Sequence, residues 1–337
     1  MKVLITGGAG YIGSTIASAL EDAGHTPVIL DSLITGRREF VGERIFYEAD
    51  ISDRAMVRKM FSEQEDIAAV IHCAALIVVP DSVSHPYEYY QENVVKSMAF
   101  FKLLSELGQN RIVFSSSAAI YDAVPNFMVT EESPLRPLSP YARTKFMIEM
   151  ILKDFCHAYG LQAIALRYFN PIGADPQLRS GLHVQNPSHL IGKLVQVALG
   201  KEPVFYLTGT SWPTRDGSAI RDYLHIWDLA RAHILAVEKF DEVIARGAEE
   251  SDLPYTVINL GTGSGVTVKE FVQAFEEVWS SELIVEERPP RPGDAVGSYA
   301  NADKALKLLG WETELSIADG IRDALRWGEI RDSILHW

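Results

Sequence analysis

The chain has 337 residues, 47% of them hydrophobic and 23% charged, with a formal net charge of −14. That length and apolar fraction support a sizeable core in two packed domains and exclude global disorder. The acidic balance excludes a sequence-nonspecific nucleic-acid binder, which needs a basic footprint, so an anionic substrate would rely on a few locally placed arginines.

In chain order, the first half alternates short apolar runs with helical segments. Predicted strands are Val3–Thr6, Pro27–Leu30, Arg44–Glu48, Ala69–Cys73, Arg111–Ser115 and Gln162–Arg167. Predicted helices are Ile12–Ala23, ended by Gly24, then Asp53–Gln64, Pro86–Leu107 and Pro140–Ala158. Strands alternating with helices imply parallel βαβ units, hence an α/β, Rossmann-type doubly wound sheet. Past Asn170 the pattern changes. Gly, Pro, Asn and Ser cluster between Pro171 and Ser188, and turns recur at Gly209–Gly217 and Pro289–Gly293. This predicts a dinucleotide-binding domain over 1–170, with parts of about 220–262 packing back on it, and a smaller mixed α/β substrate domain over 171–337.

Cys73 and Cys156 stand apart from each other and from any metal-ligand spacing, so neither a metal site nor a disulfide is expected. Reduced thiols fit a cytoplasmic protein. The apolar run after Met1 is too short for a signal peptide, and no stretch reaches the ~18 apolar residues of a membrane span.

Between the first strand and first helix lies Thr6-Gly7-Gly8-Ala9-Gly10-Tyr11-Ile12-Gly13. Glycines at 7, 10 and 13 allow a tight turn and close backbone approach, and the helix N-terminus offers N–H groups to a pyrophosphate. Asp31 ends the second strand about 20 residues on. Its carboxylate suits the two ribose hydroxyls of NAD and repels the extra phosphate of NADP, although Arg37 and Arg38 nearby keep an NADP reading open. Asp50-Ile51 follows the third strand, where the adenine would lie, and Ala74-Ala75 follow the fourth, where small residues let the cofactor pass.

Tyr141 and Lys145 lie at i and i+4, on one face of a predicted helix. An ammonium beside a phenol is expected to pull its pKa down from about 10, giving a base for a sugar hydroxyl. Ser115-Ser116-Ser117 ends the fifth strand, at the edge where parallel sheets bind ligands.

These motifs, with Tyr121, resemble the extended short-chain dehydrogenase/reductase family. Arg167-Tyr168-Phe169-Asn170-Pro171-Ile172-Gly173-Ala174 and the segment Arg221 to Ala230 are similar to those of the UDP-glucose (UDP-galactose) 4-epimerases within it. The resemblance implies that Ser117 and Tyr141 hold the sugar 4-OH, with Lys145 on the nicotinamide ribose. It adds Asn93, Ser115 and Tyr168 to the NAD contacts. It gives the nucleotide sugar Asn170, His189, Leu190, Tyr206, Arg221, Arg291, Asp294 and Ser298. It further implies C4 inversion through a 4-keto sugar that turns over between hydride removal and hydride return. Five positions depart from the pattern. Ile77 replaces a Lys near the phosphates, and His189 replaces an Asn. Tyr206 and Thr208 differ along the strand by the base. A small Ser298 leaves room for a 2-acetamido group.

Alternatives are another nucleotide-sugar enzyme of the family, a 4,6-dehydratase or reductase, or a non-catalytic NAD sensor. The dehydratase pattern places Asp-Glu after the active-site hydroxyl residue, and Ala118-Ala119 stand there. A sensor typically loses the Tyr or Lys. The helices from Pro86 and Pro140 carry apolar residues beyond one core-facing stripe, Tyr89, Tyr90, Phe101, Met147, Ile151 and Phe155, and the resemblance implies that they pair in a four-helix bundle, making a homodimer.

Overall fold

The computed structural model describes residues 1–248, 252–290 and 295–337. Seven strands form the central sheet: β1 (Lys2–Thr6), β2 (Thr26–Asp31), β3 (Ile45–Glu48), β4 (Ile67–His72), β5 (Arg111–Ser115), β6 (Gln162–Tyr168) and β7 (Tyr255–Leu260). All pairings are parallel, in the order β7-β6-β5-β4-β1-β2-β3. Six of these strands were legible in the sequence. The seventh, Tyr-Thr-Val-Ile-Asn-Leu, comes from the stretch expected to pack back and was not among the predicted strands.

Strands buried on both faces read as near-continuous apolar runs, and their two-residue period sorts them between two cores. Val3, Ile5, Ile29, Ile71, Val113, Ile164 and Leu166 face one side. Leu4, Val28, Leu30, Val70, Ile112, Phe114, Ala163 and Ala165 face the other. The first core also takes in Ile16, Ala17 and Leu20 of the helix Tyr11–Asp22 and Leu229, Ala232 and Ala236 of the helix Ile226–Glu238. A third core joins Leu194 and Val195 with Phe205, Tyr223, Phe271, Phe275 and Ile321, all from the second half. Strand order reverses on either side of β1, so the C-terminal ends of β1 and β4 border the crevice where such sheets bind ligands.

The segment expected to be one helix from Pro86 is broken. Pro86–Tyr89 is α-helical, Tyr90–Val95 forms a π-helical turn, and Lys96–Glu106 is α-helical again. The wider turn rotates Asn93 inward, where it is fully buried. π-turns concentrate at functional sites because they re-aim a side chain at the cost of regular hydrogen bonding. Helix Pro140–Tyr159 follows its sequence signals. Ser139 Oγ accepts from Ala142 N at 3.2 Å, Pro140 takes the first turn, and Gly160 closes the helix at φ 71°.

Candidate active site

The glycine loop is shaped by close approach. Gly7 has φ 70°, and a Cβ there would stand 2.8 Å from the Ala74 backbone. A Cβ on Gly13 would stand 2.2 Å from Gly7 O. Gly10 is the N-cap of Tyr11–Asp22, so the N–H groups of the first helical turn lack intrahelical acceptors. Asp31 is buried; its Oδ2 accepts from Ala9 N at 2.9 Å and its Oδ1 from Leu33 N at 2.8 Å. Burial raises its pKa, and the two N–H groups oppose that rise. A turn that excludes side chains, free helix N–H groups and a carboxylate ending β2 fit the pyrophosphate and ribose of a dinucleotide. The two arginines that left NADP open are both engaged within the chain. Arg37 Cζ lies 5.1 Å from the Trp337 ring centre, and Arg38 Cζ lies 4.4 Å from that of Phe46.

The loop after β4 is held from below. Asn93 accepts from Leu76 N at 2.7 Å and donates to Leu76 O at 2.9 Å and to Thr144 Oγ1 at 3.0 Å. Asn93 therefore bonds the loop that carries Ala74 and Ala75. Ile51 is buried, while Asp50 Oδ2 accepts from Lys96 Nζ at 2.6 Å. Tyr11 donates to Gly173 O at 2.7 Å, tying the glycine loop to the segment after Asn170.

Ser117, Tyr141 and Lys145 come together at the end of β5, each buried to more than nine-tenths. Here the structure corrects one expectation. Burial raises the Tyr141 pKa, and the group that opposes this is the Ser117 hydroxyl rather than the ammonium. Lys145 Nζ donates to Ser115 O at 2.8 Å and lies 5.0 Å from the Phe114 ring centre. Burial pulls its own pKa down to about 8. In the chain alone, stripping water from a phenolate outweighs the nearby cation. The positive charge of an oxidised nicotinamide would favour the phenolate.

A buried network beneath this trio was not foreseen. Tyr141, Lys145 and Glu149 form an i, i+4, i+8 row, and Glu149 is buried. Glu149 Oε1 accepts from Ser116 Oγ at 2.5 Å and from Arg167 Nε at 3.0 Å, and Oε2 accepts from Arg167 Nη2 at 2.6 Å. Arg167 Nη1 donates to Tyr121 OH at 2.9 Å, which donates to Asn259 Oδ1 of β7 at 2.7 Å. Ser115 Oγ lies 3.1 Å from Tyr168 OH and 3.3 Å from His233 Nε2. The available signal was a Glu four residues beyond the Lys in an otherwise apolar helix face.

The two motifs around 170 and 225 lie side by side. Asn170–Ile172 pairs in parallel with Tyr223–His225. Arg221 donates to Ile220 O at 2.7 Å, Val296 O at 3.0 Å and Ala295 O at 3.0 Å. It thereby holds the stretch that leads to Ser298. Tyr299–Ala300 pairs with Met128–Val129, and a Cβ on Gly265 would meet the Tyr299 ring at 2.5 Å. Ser298 immediately precedes that strand. His189 is the exposed N-cap of the helix Leu190–Ala198 and makes no side-chain capping bond. Tyr206 projects outward from Phe205–Thr208, half exposed, with Arg288 Cζ 4.7 Å from its ring centre. Arg291 and Asp294 lie outside the described residues. Asp228 accepts from Glu314 N at 3.1 Å and Leu315 N at 2.9 Å.

Residues 3–261 match the model of the NAD dependent epimerase/dehydratase family. The chain belongs to that family. NAD is accordingly its cofactor. Among similar proteins, the UDP-glucose 4-epimerase of Azospirillum brasilense is 39% identical over 328 residues, 97% of this chain and 91% of that one. A UDP-glucose 4-epimerase from Stenotrophomonas maltophila, solved with NAD and formylated UDP-arabinopyranose, superposes with TM-score 0.90 at 36% identity, covering 99% of each chain. The enzyme of Bifidobacterium longum, solved with NAD+ and UDP, gives TM-score 0.89 at 32% identity and 98% of each chain. The family's epimerase chemistry is thus that of its similar members across nearly the whole length.

Proposed function

We propose that this NAD-dependent family member inverts C4 of a UDP-hexose, interconverting UDP-glucose and UDP-galactose and accepting the N-acetylated pair. The observation that carries the reading is the Tyr141 phenol, buried at the end of β5 beside the Ser117 hydroxyl, with Lys145 one helical turn away. Bound NAD supplies the hydride acceptor and later the hydride donor. Ser117 and Tyr141 hold the sugar 4-OH, and Tyr141 takes its proton. Lys145, fixed on Ser115 O, orients the nicotinamide ribose. The 4-keto sugar turns about its diphosphate linkage, and Tyr141 returns the proton on the other face. Asn170, His189, Leu190, Tyr206, Arg221, Arg291, Asp294 and Ser298 are the proposed nucleotide-sugar contacts. We assign nucleotide-sugar binding to 171–337, with parts of about 220–262 packing back on the NAD-binding domain.

A 4,6-dehydratase is disfavoured by Ala118 and Ala119, which follow Ser117 in a short 3-10 turn with no carboxylate. A homodimer through the helices from Pro86 and Pro140 belongs to the same reading, with a changed surface. Tyr89 and Phe101 face the core, whereas Tyr87, Val95, Met98 and Met150 are exposed. We place the protein in the cytoplasm on its reduced thiols. Incubating the purified protein with UDP-glucose and with UDP-N-acetylglucosamine, then analysing the sugars, tests the assignment. Release of a C4 epimer supports it, and a 4-keto-6-deoxy product overturns it.

A further inference from the structure

The loop that follows Asp31 is gripped by residues far away in sequence. Arg37 N donates to Ala9 O at 2.8 Å, and Ala9 N in turn donates to Asp31, so this loop and the glycine loop are one unit. A Cβ on Gly36 would meet Asp31 Oδ1 at 2.8 Å, which shows how closely the loop wraps the carboxylate. From the second half, His183 Nε2 donates to Thr35 O at 2.8 Å. The ring of Trp337, beyond the helix Ile317–Ile334, takes Arg37 Cζ at 5.1 Å and Arg331 Cζ at 5.0 Å from its centre. Phe40, Ala174, Trp327 and Leu335 form a small core beneath, against which Trp337 packs.

The Trp337 ring, not a hydrogen bond to its Nε, holds the Arg37 side chain. Its Nε is buried with no hydrogen-bond partner, and so is His183 Nδ1. Two guanidinium groups on one indole are attracted to its π-face, and the attraction strengthens as water is excluded. None of these side chains belongs to the proposed catalytic trio.

We propose that Trp337, by stacking on Arg37, is a positioning residue for the cofactor: it latches the ribose-binding loop 31–37 against the glycine loop and so slows NAD release. A reaction that takes hydride from a substrate and gives it back to the same molecule requires the dinucleotide to stay in place between the two transfers, and the latch serves that need. The inference rests on the NAD assignment.

The test is the rate at which purified protein exchanges bound NAD for isotopically labelled NAD, compared among wild type, Trp337→Ala, Trp337→Phe, Arg37→Ala and the Arg37→Ala/Trp337→Ala double variant. Losing the stack should speed exchange about tenfold in either alanine variant. The double variant should be no faster than the singles, because both remove one interaction. Phe, which keeps an aromatic face, should restore exchange to within about threefold of wild type. Wild-type exchange in both alanine variants overturns the latch. So does a Phe variant as fast as Ala, which would mean that the indole merely fills space. If Trp337→Ala does not fold, Arg37→Ala and Trp337→Phe still decide. A wild-type protein that purifies without NAD overturns the premise of retained NAD, whereas one that holds NAD with unchanged exchange in the alanine variants overturns the latch alone.

Discussion

Tyr141 and Glu149 stand two turns apart on one helix face, and each is defined by what surrounds it. The phenol is buried and faces one hydroxyl, Ser117. Replacing Tyr141 by Phe keeps the volume and removes the proton carrier. Turnover should fall about 10²- to 10⁴-fold with NAD content unchanged, read by progress curves and by dinucleotide released on denaturation. Wild-type turnover in that variant would move the proton to another group. Glu149 is paired with Arg167 through two nitrogens. Arg167→Leu would leave its carboxylate buried without a cation, at a cost of about 3–5 kcal/mol in urea unfolding. Ser298, proposed at the sugar's 2-substituent, is a small residue just before the Tyr299–Ala300 strand. Ser298→Tyr should depress turnover of UDP-N-acetylglucosamine while sparing UDP-glucose, since only the acetamido group meets the new ring. Equal losses on both substrates would refute a steric role at the 2-position.

Among the elements, the helix from Pro86 shows where sequence patterning stops. Its boundaries were legible from Pro86 and the run to Leu107, its C-cap, but the π-turn at Tyr90–Val95 was not. An i+5 turn needs a buried partner to hold it, and here the partners are the Leu76 N–H and C=O and the Thr144 hydroxyl, which come from other elements. Asn93→Ala should therefore destabilise the protein by about 2–4 kcal/mol, because the Leu76 groups are left without partners. A urea midpoint within error of wild type would show that water takes over those bonds. The ladder of Asn170–Ile172 on Tyr223–His225 gives a second case. Each motif was readable alone, while their adjacency was set by the fold.

For the whole molecule, three buried histidines set the acid limit of stability. Burial drives the His72 pKa down to about 3 and those of His183 and His233 to about 4. Unfolded, each titrates near 6.5. Below that value the unfolded chain takes up protons that the native chain refuses, so stability is full above about pH 6.5 and falls as pH drops toward 4. The slope from these groups approaches about 4 kcal/mol per pH unit once all three are protonated in the unfolded state. Urea midpoints measured between pH 7.5 and 4.5 should decline accordingly, and a flat profile would contradict the burial of these rings. Assembly is tested at the same scale. Light scattering should give a dimer mass, and Met98→Lys with Met150→Lys should give a monomer that still folds.

Local chemistry determined much of this protein from sequence alone. The apolar period-two runs, the glycine turn, the Asp31 that ends β2, and the capped helix carrying Tyr141 and Lys145 are each set by neighbours within a few residues. Tertiary structure alone decided the rest. The Tyr141 pKa goes up rather than down because burial acts from all sides at once, whereas a four-residue spacing reports one neighbour. Glu149 finds Arg167, β7 joins β6, and Trp337 reaches Arg37 because a packed core brings together side chains with no periodic relation along the chain.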